Sequence, residues 1–254
     1  MMAKQVLPVL FILFYLMVSF SSGGQIVNME NHRYVTDTVG WAGSVGGDVA
    51  LSNYGQKVFS VNANAHVQFK SNKSLYLLMG EYGFLKGDDQ SFVDFGFLHF
   101  RYNYKVNRIL RWEAFTQLQQ NVITKIEFRY LIGTGPRLKL LETQKLKLYF
   151  GSLPMFEIEK ERDRPDQIQD WRISNYLSIT WLPNTQTSIS STLYYQPVLF
   201  DIADYRLLNQ LSCKIAASKK VAVAIKWNYQ FDASPAAGVP LETYNFSTGV
   251  EIGL

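Results

Sequence analysis

The chain is 254 residues long, 47% hydrophobic, 15% aromatic and only 18% charged. A chain this apolar is not disordered, and no Pro/Gly/Ser-rich break after residue 25 separates it into two domains. A formal net charge of +4 without a Lys/Arg run argues against nucleic acid as a partner, and one cysteine, Cys213, excludes an intramolecular disulfide.

The first segment reads as a targeting signal. Behind Lys4 runs an apolar stretch from Val6 to Phe20, interrupted only by Pro8 and Ser19, and it ends in the small residues Ser21-Ser22-Gly23-Gly24. That stretch is shorter than the ~20 residues of a spanning helix, so residues 1–24 are expected to be a signal peptide, cut after Gly24. An uncleaved anchor is the alternative. No cysteine follows the apolar stretch, so lipoprotein processing is not expected. Residues 25–37 show no period and are expected to be an irregular periplasmic lead-in to a single domain, 38–254.

From there the apolar residues recur at every second position, the period of a strand. Twelve strands are expected, near 40–51, 56–70, 74–86, 91–105, 109–121, 125–141, 145–157, 170–182, 186–197, 205–218, 221–232 and 242–254. In the second, Phe59, Val61, Ala63, Ala65, Val67 and Phe69 alternate with Ser60, Asn62, Asn64, His66, Gln68 and Lys70. In the eleventh, Val221, Val223, Ile225, Trp227, Tyr229 and Phe231 form one face and Ala222, Ala224, Lys226, Asn228, Gln230 and Asp232 the other. Runs of about 12 residues exceed the 5 to 6 of soluble strands and suit a bilayer crossing. Aromatics such as Tyr102, Tyr104, Trp112, Trp181, Tyr195, Trp227, Tyr229 and Tyr244 lie toward strand ends, where interfacial girdles belong.

The connections alternate in kind. Ser71-Asn72-Lys73, Val106-Asn107-Arg108, Glu142-Thr143-Gln144, Pro183-Asn184-Thr185 and Lys219-Lys220 are tight and polar, as periplasmic turns are. Longer outer links are expected at 158–169, 198–204 and 233–241. Pairing Lys105 with Ile109 would set Arg101 against Glu113 inside and Tyr102 against Trp112 outside, satisfying charge and lipid together.

The stretch Arg129-Tyr130-Leu131-Ile132-Gly133-Thr134-Gly135-Pro136-Arg137-Leu138, followed by Leu148-Tyr149-Phe150-Gly151 and Glu157-Ile158-Glu159, resembles the salt-induced outer-membrane protein family, domain of unknown function 481. Trp41-x-Gly43 with Leu51-Ser52-Asn53 is similar to that family's opening strand, although its usual Gly-Asn pair is replaced. The resemblance implies an outer-membrane barrel and brings no established substrate or catalytic residue. Barrels of this type usually finish on an aromatic residue, whereas this chain ends on Leu254.

The polar phase of the strands places His66, His99, Arg101, Arg111, Glu113, Glu127, Arg129, Arg172 and Lys226 in the lumen, because a basic charge facing lipid costs ~2–4 kcal/mol at mid-bilayer. They either pair across strands and fill a narrow barrel, or form a polar passage in which the arginines meet a small anionic or zwitterionic solute. A His-x-Ser pair of the outer-membrane lipase kind is missing at both His66 and His99, and His32, His66 and His99 lack the spacing of a metal site. Gly133-Thr134-Gly135 lacks the third glycine of a dinucleotide site and is expected to relieve crowding in the barrel. The charged run Glu157 to Asp170 reads as a solvated hairpin extension; its alternative is a site for lipopolysaccharide phosphates at Lys160, Arg162 and Arg164.

The expected protein is an all-β, transmembrane, antiparallel up-and-down barrel of about twelve strands in the outer membrane of a Gram-negative, diderm bacterium. Its expected role is structural or the passive passage of a small polar solute, with no enzymatic activity, cofactor or metal. Expected partners are outer-membrane lipids, lipopolysaccharide and the barrel-assembly machinery. A lipid-modifying barrel enzyme and a secreted soluble barrel holding an apolar ligand are the alternatives.

Overall fold

A computed structural model describes residues 39–53, 57–87, 90–218 and 221–252. The expected signal peptide, lead-in and Leu254 lie outside the described residues.

Twelve antiparallel strands form one up-and-down sheet: β1 Gly40–Asn53, β2 Lys57–Lys70, β3 Ser74–Gly87, β4 Gln90–Lys105, β5 Leu110–Asn121, β6 Ile126–Glu142, β7 Leu146–Glu161, β8 Gln167–Trp181, β9 Thr187–Val198, β10 Asp201–Ala216, β11 Val221–Asp232 and β12 Glu242–Ile252. Each strand pairs with its neighbours in sequence, so β1 and β12 stand at the two ends of the strand order. The start of β1 and the end of β12 fall on the side of the tight turns, as an even strand count requires.

The strands match the hydrophobic period closely, with two corrections. β7 continues to Glu161 and β8 begins at Gln167, so the expected link 158–169 shrinks to 162–166. β10 begins at Asp201, which leaves only Leu199 and Phe200 of the expected link 198–204. In both places charged residues that resemble a solvated loop point into the barrel and find partners there.

The tight turns share a device: a Ser, Thr or Asn near the start of the turn accepts a hydrogen bond from an amide two or three residues on. Ser71 Oγ accepts from Ser74 N (3.0 Å), Thr143 Oγ1 from Leu146 N (2.9 Å), Asn184 Oδ1 from Thr187 N (2.8 Å) and Ser218 Oγ from Val221 N (3.1 Å). Asn107 Oδ1 accepts from both Ile109 N and Leu110 N, at 2.8 Å each. This last bond pattern moves the turn one residue along. Lys105 pairs with Arg111, not Ile109, and Arg101 stands opposite Phe115 while Asn103 faces Glu113. A two-residue register change preserves the faces, so Arg101 still reaches Glu113 on the diagonal.

Curvature is visible in contacts between strands that are not neighbours. Tyr176 on β8 donates its hydroxyl hydrogen to Glu113 Oε2 on β5 (2.8 Å), and Arg206 on β10 meets Glu157 on β7 at 2.7 Å. Two strands intervene in each case, so the sheet must bend inward to close these distances. The outward face carries Leu78, Leu98, Phe100, Ile132, Leu193, Val223 and Ile225, all exposed. Aromatic runs edge it at both ends. Trp41, Phe69, Tyr76 and Tyr102 follow one another at centroid distances of 4.9, 6.4 and 4.9 Å near the tight turns, and Tyr195, Tyr205 and Phe231 at 5.7 and 5.4 Å near the opposite end.

Candidate functional site

Alternation sends every second side chain of each strand inward, and the inward face divides into two unlike halves. From β4 to β10 it is packed shut. On the strands at the two ends of the order, β11, β12, β1 and β2, many inward side chains are small or polar and accessible, although Ala222, Ala224, Asp232 and Gln68 are buried.

The packed half is layered along the barrel axis. Toward the tight turns, the wholly buried Glu113 is a hub: Oε2 takes the Tyr176 hydroxyl and Arg101 Nη1 (3.3 Å), and Oε1 takes Arg137 Nη1 (3.3 Å). Arg101 Nε donates to His99 Nε2 (3.3 Å). Arginine can only donate, so His99 must carry its hydrogen on Nδ1 and give it to Gln117 Oε1 at 3.0 Å. The imidazole lies stacked between Phe97 and Phe115, with centroids at 5.9 and 5.6 Å. An apolar layer of Phe115, Leu131, Leu153, Met155, Tyr194 and Leu208 follows.

Beyond it, toward the opposite mouth, lies a second charged layer. Arg129 Nε meets Glu157 Oε1 at 2.6 Å and its Nη2 meets Glu159 Oε2 at 3.0 Å. Arg172 Nε meets Glu157 Oε2 (2.8 Å), and Arg206 reaches Glu157 Oε1 (2.7 Å), Glu159 Oε2 (3.1 Å) and Asp232 Oδ2 (2.9 Å). Three buried guanidiniums thus neutralise three buried carboxylates. Asp204 Oδ1, less buried, joins from the rim at 3.0 Å from Arg172 Nη2. Such a network is tolerated in a low-dielectric interior because geometry and hydrogen bonding compensate for lost hydration.

Glycines make the packing feasible. A Cβ at Gly133 would lie 2.6 Å from the Phe115 ring, and one at Gly151 would lie 2.2 Å from the Tyr176 ring. Gly151 therefore seats the tyrosine that reaches Glu113, which gives the Leu148-Tyr149-Phe150-Gly151 motif a mechanical role.

The other half has mostly small uncharged side chains. Ser44 and Gly46 on β1, Asn62 and Asn64 on β2, and Thr243 and Gly249 on β12 face inward and are exposed; Asn245 and Ser247 are half-buried. Lys226, exposed near the middle of β11, stands opposite Ser212 and Ser247.

The residues singled out by sequence separate accordingly. His99, Arg101, Glu113, Arg129 and Arg172 are buried in the packed half; Arg111 is half-buried at its tight-turn end. His66 is half-buried on β2, opposite Ser44 and Met79, and Lys226 belongs to the accessible half. Glu127 is the exception. The register slips between Ile126 and Phe128, Ile126 turns inward and is fully buried, and Glu127 remains at the rim in an exposed pair with Lys160 (3.3 Å). The charged run after Glu157 is corrected too, since Glu157 and Glu159 are buried ion-pair partners.

Arg137, Tyr176, Glu157, Glu159, Arg206 and Asp232 are members of the buried networks that the sequence reading did not count among the lumen residues. Arg137 keeps the inward phase of Arg129, so extending the period would have found it, and Asp232 already stood on the face of Lys226. Tyr176 keeps the inward phase of Arg172, but its type alone did not mark it as a carboxylate's partner. Among the described residues, no group of His, Cys, Asp and Glu is arranged to hold a metal ion.

A family model described as "Protein of unknown function, DUF481" matches residues 44–253. Among solved structures, the chain is similar to one described as "NanC porin structure in rhombohedral crystal form", with a TM-score of 0.50 and 13% identity over 83% of this chain and 98% of that one. At this identity the likeness is one of fold. A structure described as "Unveiling the Mechanism Behind the in-meso Crystallization of Membrane Proteins" matches with a TM-score of 0.40 and 9% identity over 83% of each chain. No curated protein matches.

Proposed function

This chain belongs to the family of proteins of unknown function DUF481, and from that premise we propose that it is an integral outer-membrane β-barrel that lets small hydrophilic solutes cross passively. The observation that carries the reading is the divided interior: on β4 to β10 it is closed by ion-pair networks and an apolar layer, while Ser44, Asn62, Asn64, Thr243 and Gly249 on the strands at the two ends of the order point inward and stay accessible. A purely structural barrel would gain nothing by leaving one wall small and polar. The exposed apolar outward face and its two aromatic edges support residence in lipid, with outer-membrane lipids and lipopolysaccharide as surroundings. Insertion by the barrel-assembly machinery and an exported precursor belong to the same proposal.

The arginines are not the solute's partners in this reading. Arg101, Arg129, Arg137, Arg172 and Arg206 are each held by carboxylates at 2.6 to 3.3 Å, so the passage runs beside them. Planar-bilayer recordings test this. The purified barrel is expected to conduct steadily, and Asn64→Trp and Ser247→Trp to narrow the current. A silent wild-type protein, or a current untouched by both substitutions, overturns the proposal. A current that appears only in Glu113→Ala would assign the wild-type lumen to a closed, structural role.

A further inference from the structure

At the mouth opposite the tight turns, β9 and β10 are joined by Leu199 and Phe200 alone, whereas β11 and β12 are joined by residues 233–241, which carry no charged side chain. This longer segment does not stand away from the barrel. Asp232 N donates to Leu241 O (2.8 Å) and Ala233 N to Tyr205 O (3.0 Å), which closes its base. Its tip is a turn in which Val239 N donates to Ala236 O (2.9 Å) and Gly238 takes a φ of 81°, the conformation that favours glycine at the third turn position. Ala236 is buried, and Val239 and Pro240 share a cleft with Thr124, Arg206, Gln230 and Asp232. A Cβ at Gly238 would lie 3.7 Å from Lys125 Nζ. Thr124 and Lys125 belong to the β5–β6 turn, and four strands, β7 to β10, separate that hairpin from β11. The segment therefore reaches across the mouth, above the Arg206–Asp232 end of the second charged layer.

Little holds it there. Lys125 is committed to the neighbouring β7–β8 link, with its ammonium on Asp163 Oδ2 (2.7 Å) and its carbonyl accepting from Arg162 N (2.9 Å). Among the described residues, no hydrogen bond or ion pair ties 234–240 to the β5–β6 turn, so the far end of the segment is seated by the packing of small side chains alone. Thr124 Oγ1, buried in the shared cleft, takes no partner among the described residues, and water would satisfy it once the segment lifts. Few contacts at the tip and a firm hydrogen-bonded base are the features of a segment that opens locally while the rest of the fold stays closed.

We propose that residues 233–241 are a strap that opens and closes over this mouth. Closed, it shields the Arg206–Asp232 end of the charged layer from external water; lifted about its base at Asp232 and Leu241, it admits water and small ions there. The strap stands apart from the passive-passage reading, because sealing this layer requires no solute flux. The test is the rate at which a hydrophilic thiol reagent modifies Gln230→Cys, which lies in the cleft under the strap, in a Cys213→Ser background of the detergent-purified protein. Replacing residues 234–240 by Asn-Gly is expected to raise that rate about tenfold. Gly238→Val, which puts a β-branched side chain at positive φ and unlocks the turn without shortening the chain, is expected to raise it about threefold. Asn64→Cys, exposed and outside the cleft, is expected to react at the same rate with and without the strap. Equal rates at Gln230→Cys in the intact and both altered chains overturn the strap. So does a parallel rise at Asn64→Cys, which marks a barrel loosened throughout.

Discussion

The walls β4–β10 and β11–β2 are built on the same two-residue period and yet have opposite interiors. In the first, Tyr176 and Arg206 each reach a buried carboxylate across two intervening strands, and Leu131, Leu153 and Met155 fill the layer between. In the second, the inward side chains are mostly the short ones of Ser, Thr, Asn and Gly, and Ser44, Asn62, Asn64 and Thr243 stay exposed. The difference teaches that inward polarity does not by itself make a passage. Side-chain length and the availability of a countercharge decide whether a polar wall closes or stays open.

Removing one buried carboxylate should break the contrast most strongly. Glu157→Ala leaves Arg129, Arg172 and Arg206 short of a shared partner, and urea unfolding of the barrel in lipid vesicles should show a loss of about 3–5 kcal/mol. A loss below 1 kcal/mol would mean that water already reaches the network. Next in size, Ile225→Arg should cost about 2–4 kcal/mol in the same assay, because its side chain lies on the outward face that the proposed bilayer covers. Ser247→Arg, on the accessible inward face, should cost far less; equal damage would contradict the inward assignment of β12. Ala224 is no substitute control, since it is inward but buried.

Gly151→Ala tests the packing beneath the Glu113 hub. The new methyl would meet the Tyr176 ring, and overpacking of this kind costs about 1–3 kcal/mol. The same change should weaken Tyr176's bond to Glu113, so combining it with Tyr176→Phe should cost less than the sum of the two; strict additivity would uncouple glycine and tyrosine. Smallest of all, Asn64→Ala on the open wall should shift stability by less than about 0.5 kcal/mol. A larger loss would show that this wall is packed after all.

Strand existence and phase were legible because the outward face is apolar along the strands, as the proposed bilayer setting requires. Val221 to Asp232 and Phe59 to Lys70 alternate cleanly for that reason. Strand ends were less legible where the charge density rose. Glu157 to Asp170 looks like a solvated loop on composition alone, and it is the arginines of β6, β8 and β10 that hold Glu157 and Glu159 inside. The hairpin after β4 shows a subtler limit. Charge matching found the right faces and the right ionic partners in Arg101 and Glu113, but Asn107's preference for capping Ile109 and Leu110 set the turn and moved the register by two. The candidate site was legible only in part, since which arginine would be neutralised depends on curvature, and curvature has no local sequence signal.

The side-chain caps in the turns also bear on how the chain would assemble. Ser71, Asn107, Thr143, Asn184 and Ser218 each bond to an amide no more than three residues away, so each of these hairpins sets its own alignment from local information. Every strand then adds beside its predecessor, a low-contact-order route in which little loop entropy is lost at each step. The Glu157–Arg206 contact cannot form on that schedule. Its partners lie 49 positions apart and meet only after β7 to β10 are aligned and bent. The ionic layer therefore acts as a late checkpoint: a hairpin zipped one step out of register would turn Glu157 or Arg206 away from the interior, and the wall would fail to lock.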